Sequence, residues 1–171
     1  MDTFFEQIVS IKKDGKSLVA VLGILTAAIL ISAAAIVFGF RFLGALTVLV
    51  VFGIGFGAYK LLSLFNVEYE YIITNGSLDI DKIINRSSRK RMLTFDLGKV
   101  TRIEKYKPAL LNSVNSKEVV IACNAGDDAY LIVAEGGKSN YYLVFAPDER
   151  LKGAIVKFVP KYIANSAFKN N

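Results

Sequence analysis

Val67-Glu68-Tyr69-Glu70-Tyr71-Ile72-Ile73-Thr74-Asn75-Gly76-Ser77-Leu78-Asp79-Ile80-Asp81 is the stretch on which the fold turns. Val67, Tyr69, Tyr71 and Ile73 alternate with Glu68, Glu70, Ile72 and Thr74, the period-two pattern of a strand with one face against a core. Asn75-Gly76 follows, the strongest short hairpin signal, because both residues tolerate positive φ. Leu78 and Ile80 then alternate with Asp79 and Asp81, so a second strand runs to about residue 84.

Downstream the pattern repeats. The polar run Asn85-Arg86-Ser87-Ser88-Arg89-Lys90 reads as a loop leading to a short strand with Met92, Leu93 and Phe95. Residues 100–106 make a fourth strand, 107–117 a long loop containing Pro108, and 118–123, 129–134 and 141–146 three more strands. The turn clusters Asn124-Ala125-Gly126-Asp127-Asp128 and Gly136-Gly137-Lys138-Ser139-Asn140 suit antiparallel connections. After Pro147 the period changes. Leu151, Ala154, Ile155, Phe158 and Val159 fall on one helical stripe, with Asp148-Glu149 at its start and Pro160 at its end. Residues 164–171 read as a flexible tail.

Upstream the composition is different. The chain of 171 residues is 53% hydrophobic, above the roughly 45–50% of a soluble domain, and the excess is concentrated near the N-terminus. Residues 18–40 and 42–59 carry only Arg41 between them as a charged group. At 1.5 Å per residue the first run reaches about 35 Å, enough to cross a hydrocarbon core of about 30 Å. Lys60 can snorkel and extend the second run to Phe65. Residues 18–65 therefore read as a two-span transmembrane hairpin. A cleaved leader is the rival for the first run, but its apolar stretch is too long and a second span follows at once.

Lys12, Lys13, Lys16 and Lys60 flank the hairpin on one side and Arg41 on the other, which places both termini in the cytoplasm at the cell membrane. In residues 1–17, Phe4, Phe5, Ile8, Val9 and Ile11 lie near helical spacing, so this segment reads as a short interfacial helix or a frayed end. Gly53 and Gly57 form a GxxxG pair, and Ala28 and Ser32 repeat that spacing on the first span. These four are the candidate helix-packing residues, for the hairpin itself or for a homo-oligomer. Neither span holds an interior ionisable residue that would mark a transport path.

Composition also removes chemistries. With no His, histidine catalysis and His metal sites are excluded, and the single Cys123 makes neither an internal disulfide nor a Cys-rich zinc site. No cofactor or metal is expected. The carboxylate pairs Asp79/Asp81, Asp127/Asp128 and Asp148/Glu149 have ordinary places on a strand, in a turn and at a helix start. Gly136-Gly137-Lys138-Ser139 lacks the earlier glycine and following helix of a phosphate loop.

Seven antiparallel strands and one C-terminal helix are the arrangement of pleckstrin-homology (PH)-like domains. Two spans followed by Glu70-Tyr71-Ile72-Ile73-Thr74-Asn75-Gly76-Ser77-Leu78-Asp79-Ile80 resemble the opening of bacterial membrane-anchored PH-like domains. The layout also resembles an uncharacterised family of small two-span proteins from Gram-positive anaerobes. The resemblance implies a membrane α-helical hairpin plus an all-β PH-like domain at residues 66–163, and no known activity. Eukaryotic relatives keep their inositide-binding bases around the first hairpin loop. Here that loop, Asn75-Gly76-Ser77, has none, so no inositide site carries over.

The net charge is +6, and Arg86, Arg89, Lys90 and Arg91 are packed into one short segment. Beside a bilayer they are candidate lipid-binding residues for anionic headgroups, or else a solvated turn obeying the positive-inside bias. Aromatic interleaving is missing, which argues against nucleic acid. The expected function is a non-enzymatic, membrane-anchored interaction module for a protein partner or anionic lipid, with strand addition to a sheet edge as one mode. The alternative is an accessory subunit acting through its Gly-rich hairpin.

Overall fold

The computed structural model describes residues 3–112, 114, 119–124, 126–137 and 139–168. Expectations for Ala125, Lys138, residues 115–118 and the last three residues lie outside it. The chain divides into two compact units. One is built on two four-stranded sheets. β1 (Phe4–Ser10), β2 (Val67–Thr74), β3 (Ser77–Ile84) and β4 (Ser88–Asp96) pair in chain order. β5 (Val100–Lys105), β6 (Val119–Ile121), β7 (Tyr130–Ala134) and β8 (Tyr141–Phe145) form the second sheet in the order β5-β7-β8-β6.

β1 corrects the reading of the N-terminus. Phe4–Ser10 is neither an interfacial helix nor a frayed end. It is a strand antiparallel to β2, with Phe4 level with Thr74 and Ser10 with Glu68. The same residues fit a period of two: Phe5 and Val9 pack on the core and Phe4, Glu6, Ile8 and Ser10 face out. A pairing partner more than fifty residues away decides between the two periods, because tertiary context overrides local spacing. The PH-like domain therefore takes in β1, and a boundary at residue 66 leaves out an edge strand.

The Asn75-Gly76 hairpin has φ of 48° and 89°, the left-handed pair of a type I′ turn. Gly76 is needed twice, since a Cβ there would also meet the Phe158 ring at 3.1 Å. The expected loop at 85–90 is shorter. Asn85 and Arg86, at φ 51° and 55°, make a second two-residue turn, and β4 begins at Ser88. Among the described residues the strands thus number eight, and one pairing is not antiparallel: β6 runs parallel to β8. β6 and β8 are joined by residues 122–140, which include β7 and supply the chain length that a parallel return requires.

Tyr71, Ile73, Leu78 and Ile80 from the first sheet and Ile132, Leu143 and Phe145 from the second are buried in one core. The Tyr71 ring meets Phe145 edge-on at 5.5 Å. Its hydroxyl donates to the Ala122 carbonyl and accepts from the Ala146 N–H, joining β2 to the second sheet. α3 (Glu149–Phe158) seats Leu151, Ala154 and Ile155 on this core. Asp148 caps it, accepting from the Leu151 N–H at 2.8 Å. Gln7 fastens β1 to the same place: its amide donates to Ala146 O and its Oε1 accepts from the Asp148 N–H.

The tail is also held. After Pro160 a short α4 (Lys161–Ala164) buries Ile163, Ala167 is buried, and Phe168 packs edge-on against Tyr130 at 4.9 Å. Lys152 lies over the Tyr130 ring at 4.8 Å. Residues 164–168 are accordingly docked, not flexible. Cys123 is half-buried beside Leu131 and Val144, and burial with Asp127 nearby pushes its thiol up to about 11.

The other unit is a helical hairpin of α1 (Gly15–Phe42) and α2 (Leu46–Ser63), both long and apolar enough to cross a membrane. Asp14 caps α1 by accepting from the Ser17 N–H, and Gly44, at φ 54°, makes the turn. Val21, Ile24, Ala28, Ser32, Ala35 and Gly39 form the partly covered stripe of α1, facing Thr47, Val51, Ile54, Ala58 and Leu62 of α2. Gly39 is the close approach, since a Cβ there would lie 2.9 Å from Thr47. Ala28 and Ser32 sit on this seam. Gly53 and Gly57 do not, and a Cβ at either would meet nothing within 4 Å.

Two outcomes follow from this build. Gly39→Leu should lower the thermal stability of the full chain in detergent, by about 1–3 kcal/mol of overpacking, while Gly53→Leu and Gly57→Leu leave it unchanged. Equal losses at all three would mean the glycines share the seam. In the second test Val9 is joined directly to Tyr69 through Asn-Gly, deleting the hairpin. That chain should fold in water with the β-rich circular dichroism of the parent, whereas a fragment starting at Asn66 should unfold at lower temperature or aggregate.

Candidate functional site

The basic segment does not stand in solvent as one loop. Arg86 is in the β3–β4 turn, and Arg89, Lys90 and Arg91 open the edge strand β4. Arg89 pairs with Glu70 of β2, with N–O distances of 2.9 and 3.0 Å, and reaches Asp81 of β3 at 4.0 Å. Arg91 pairs with Asp79 at 2.8 Å and holds Asp81 by both Nε and an Nη, also touching Thr94 Oγ1 at 3.4 Å. Lys90 is exposed, as is Arg86. The four residues thus split into two that reach carboxylates on the sheet and two that face outward at the surface.

The carboxylates are the unusual half of this arrangement. Glu70 and Asp81 are each 2% exposed, although they alternate with core residues and point away from the main core. The arginine side chains lie across them, about half exposed at 54% and 51%. Glu6 of β1 adds a further acid beside Glu70. Burial first, and then the Glu6 carboxyl, push the Glu70 pKa upward, while Arg89 pulls it back. Hydrogen bonding to Asp81 keeps Arg91 firmly cationic. Chemically this is a layer of ion pairs on one sheet face, three carboxylates against two arginines. It positions β4 against β3 and β2, and leaves the face acidic near β1.

The sequence signal for this layer is plain once the strands are paired. Glu68/Glu70 and Asp79/Asp81 lie two residues apart on neighbouring strands, which puts all four side chains on one face. A strict period of two in β4, with Leu93 and Phe95 on the core, would instead put Arg89 and Arg91 on the core face, so alternation alone does not bring them to the carboxylates. The other carboxylate pairs serve local structure. Asp127 accepts from the Asn124 N–H and side-chain amide, Asp128 pairs with Lys105 at 2.9 Å, and Asp148 caps α3.

Two four-stranded sheets packed on a shared core, with an amphipathic helix seated on it, are the build of a PH-like domain. The chain belongs to the family described as bacterial PH-like domain (DUF6106), which it matches over residues 1–165. That range includes β1, α1 and α2, so the hairpin lies inside the family's span and not ahead of it. No curated protein sequence matches the chain.

The ion layer can be tested by thermodynamics. Arg89→Met should destabilise the full chain by about 1–3 kcal/mol, less than a fully buried pair because Arg89 is half exposed. Arg89→Met with Glu70→Leu should recover most of that loss, because the buried carboxylate is gone. Urea unfolding in a mild detergent reads both, and a double variant as weak as the single would show that the pair carries no coupling.

Proposed function

We propose that this protein is a membrane-anchored, non-catalytic interaction module, with α1 and α2 crossing the bilayer and the PH-like domain at the cytoplasmic face. The observation that carries the reading is the surface of the helix pair. No residue of α1 is buried, and Leu22, Ile29, Leu30, Val37, Phe52 and Phe56 all stand more than half exposed. Water would meet that apolar area at a large free-energy cost, which a hydrocarbon core removes. A cleaved leader fits poorly, because β1 precedes α1 and pairs with β2. Lys12, Lys13, Lys16 and Lys60 against Arg41 support a cytoplasmic location for both ends.

At that face Arg86 and Lys90 are the bases we assign to anionic headgroups, each contributing about 1 kcal/mol near a charged leaflet. Arg89 and Arg91 support the same contact only at the margin, since their charge is already matched by Glu70, Asp79 and Asp81. A second reading, an accessory subunit of a larger membrane complex, draws on Gly53 and Gly57, which lie beside the hairpin seam with open space above them. It expects Gly57→Leu to release the chain from that complex on gentle solubilisation, with the sheet intact.

The leading reading is tested on the full chain in nanodiscs. Hydrogen exchange across residues 84–92 should slow in discs containing phosphatidylglycerol relative to phosphatidylcholine alone. High salt should reverse the effect, because surface attraction is screened within about 10 Å at 0.1 M and 3 Å at 1 M. Arg86→Gln with Lys90→Gln should abolish it. No difference between the discs removes lipid recognition by this segment, and release of the chain from membranes by alkaline carbonate removes the anchor itself.

A further inference from the structure

β1 is the edge of the first sheet, and half of its backbone has no partner strand. In an antiparallel pair successive residues turn their N–H and C=O alternately toward and away from the neighbour. The Asn75 N–H donates to Thr3 O, so Thr3, Phe5, Gln7 and Val9 face β2, and Phe4, Glu6, Ile8 and Ser10 point to the open side. The Ser10 carbonyl accepts from Asn124 Nδ2 at 3.1 Å, which closes that end. Among the described residues, Phe4, Glu6 and Ile8 are left as an open run.

The remaining sheet edges carry the features that discourage pairing. β4 bears Arg89-Lys90-Arg91, β5 carries Arg102 and Lys105 with a register break after Val100, and β6 has only three residues. β1 has no Lys, Arg, Pro or Gly, and its apolar side chains Phe4 and Ile8 are 60% and 52% exposed. Its charge is Glu6, set between them. The face that Glu6 shares adds Glu70, Asp79 and Asp81 against Arg89 and Arg91, one acid more than the arginines, while Lys157 lies at Phe5, 6.0 Å from its ring. A second copy fits badly. Its longest antiparallel register sets Glu6 against Glu6, beside Glu70, and like charges directly opposite destabilise a strand pair.

We propose that the β1 edge receives an extended segment of a partner protein, with a Lys or Arg opposite Glu6 and apolar residues two positions to either side, opposite Phe4 and Ile8. The proposal rests on the interaction-module reading and names the partner's chemistry. Backbone hydrogen bonds from Phe4, Glu6 and Ile8 hold the segment, and the acid between two apolar side chains selects it.

The test uses the full chain in phosphatidylcholine nanodiscs and two capped peptides, Thr-Val-Thr-Lys-Thr-Val-Thr and the same peptide with Glu in place of Lys. The Lys peptide should slow hydrogen exchange at residues 4–8 and bind about ten-fold more tightly than the Glu peptide, the sum of one attraction gained and one repulsion avoided. Glu6→Lys should invert the preference and Glu6→Gln should level it, with unchanged exchange across β7 showing that each variant is folded. Absence of protection with either peptide, or a preference untouched by both variants, overturns the proposal. Protection that grows with protein concentration and no peptide overturns it in favour of a second copy. Protection of residues 84–92 in anionic discs is read separately, so a failure here alone leaves the lipid reading standing.

Discussion

The pairing of β1 with β2 is the constraint on which the rest of the molecule depends. These strands are neighbours in the sheet, yet the whole helical hairpin lies between them in sequence. Four residues connect Ser10 to α1 and three connect Ser63 to β2, and Ser10 stands level with Glu68. Both connections therefore leave the strand pair at the same end. In a membrane this has a topological consequence. Any insertion between paired strands must cross the bilayer an even number of times, or the strands would be parted by it. Two helices with a tight turn at Gly44 are the smallest solution. The strand pairing and the positive-inside orientation we propose agree in one respect, that both put the two ends of the hairpin on the same side.

The pairing also orders assembly. β1 emerges first but finds its partner only after the hairpin has been made, so its contacts are among the most distant in the chain. Gln7 reinforces this late step. Its amide group bonds at both ends to the β8–α3 connection, the last part of the sheet unit to be synthesised before the helix. A single half-buried glutamine thus couples the first strand to the final closure of the core. β2, β3 and β4 need no such help, since β2 and β3 are joined by Asn75-Gly76, whose residues favour positive φ, and β3 and β4 by the short turn at Asn85-Arg86.

Much of the fold was legible because local and tertiary signals agree. Asn75-Gly76 sets one turn, the alternation in β2 and β3 fixes which residues enter the core, and the stripe from Leu151 to Val159 gives the helix and its buried face. The reading failed where two periods fit one segment. Phe4, Phe5, Ile8 and Val9 satisfy helical spacing, and only a distant partner selects the strand. It failed again where charge stood in for structure. Arg89 and Arg91 looked like loop residues because nothing local in 85–91 is apolar, while their partners lie on strands read correctly but not paired. The seam of the hairpin was hidden for a similar reason: Gly53 and Gly57 form the recognisable motif, whereas Gly39 and Thr47 make the close approach across the turn.

The division within the basic segment can be settled by comparing magnitudes. Drawing Arg89 away from Glu70 would leave a carboxylate that is almost wholly buried beside two more acids. Uncompensated buried charges cost several kcal/mol, and half exposure of the arginine reduces that figure without erasing it. An anionic leaflet offers about 1 kcal/mol per base and offers it equally to Arg86 and Lys90. Arg89 and Arg91 therefore stay with the sheet, and the lipid contact we propose falls to the exposed Arg86 and Lys90. A run of four bases in sequence is in this way two functional groups in space, one that holds β4 to its neighbours and one turned outward.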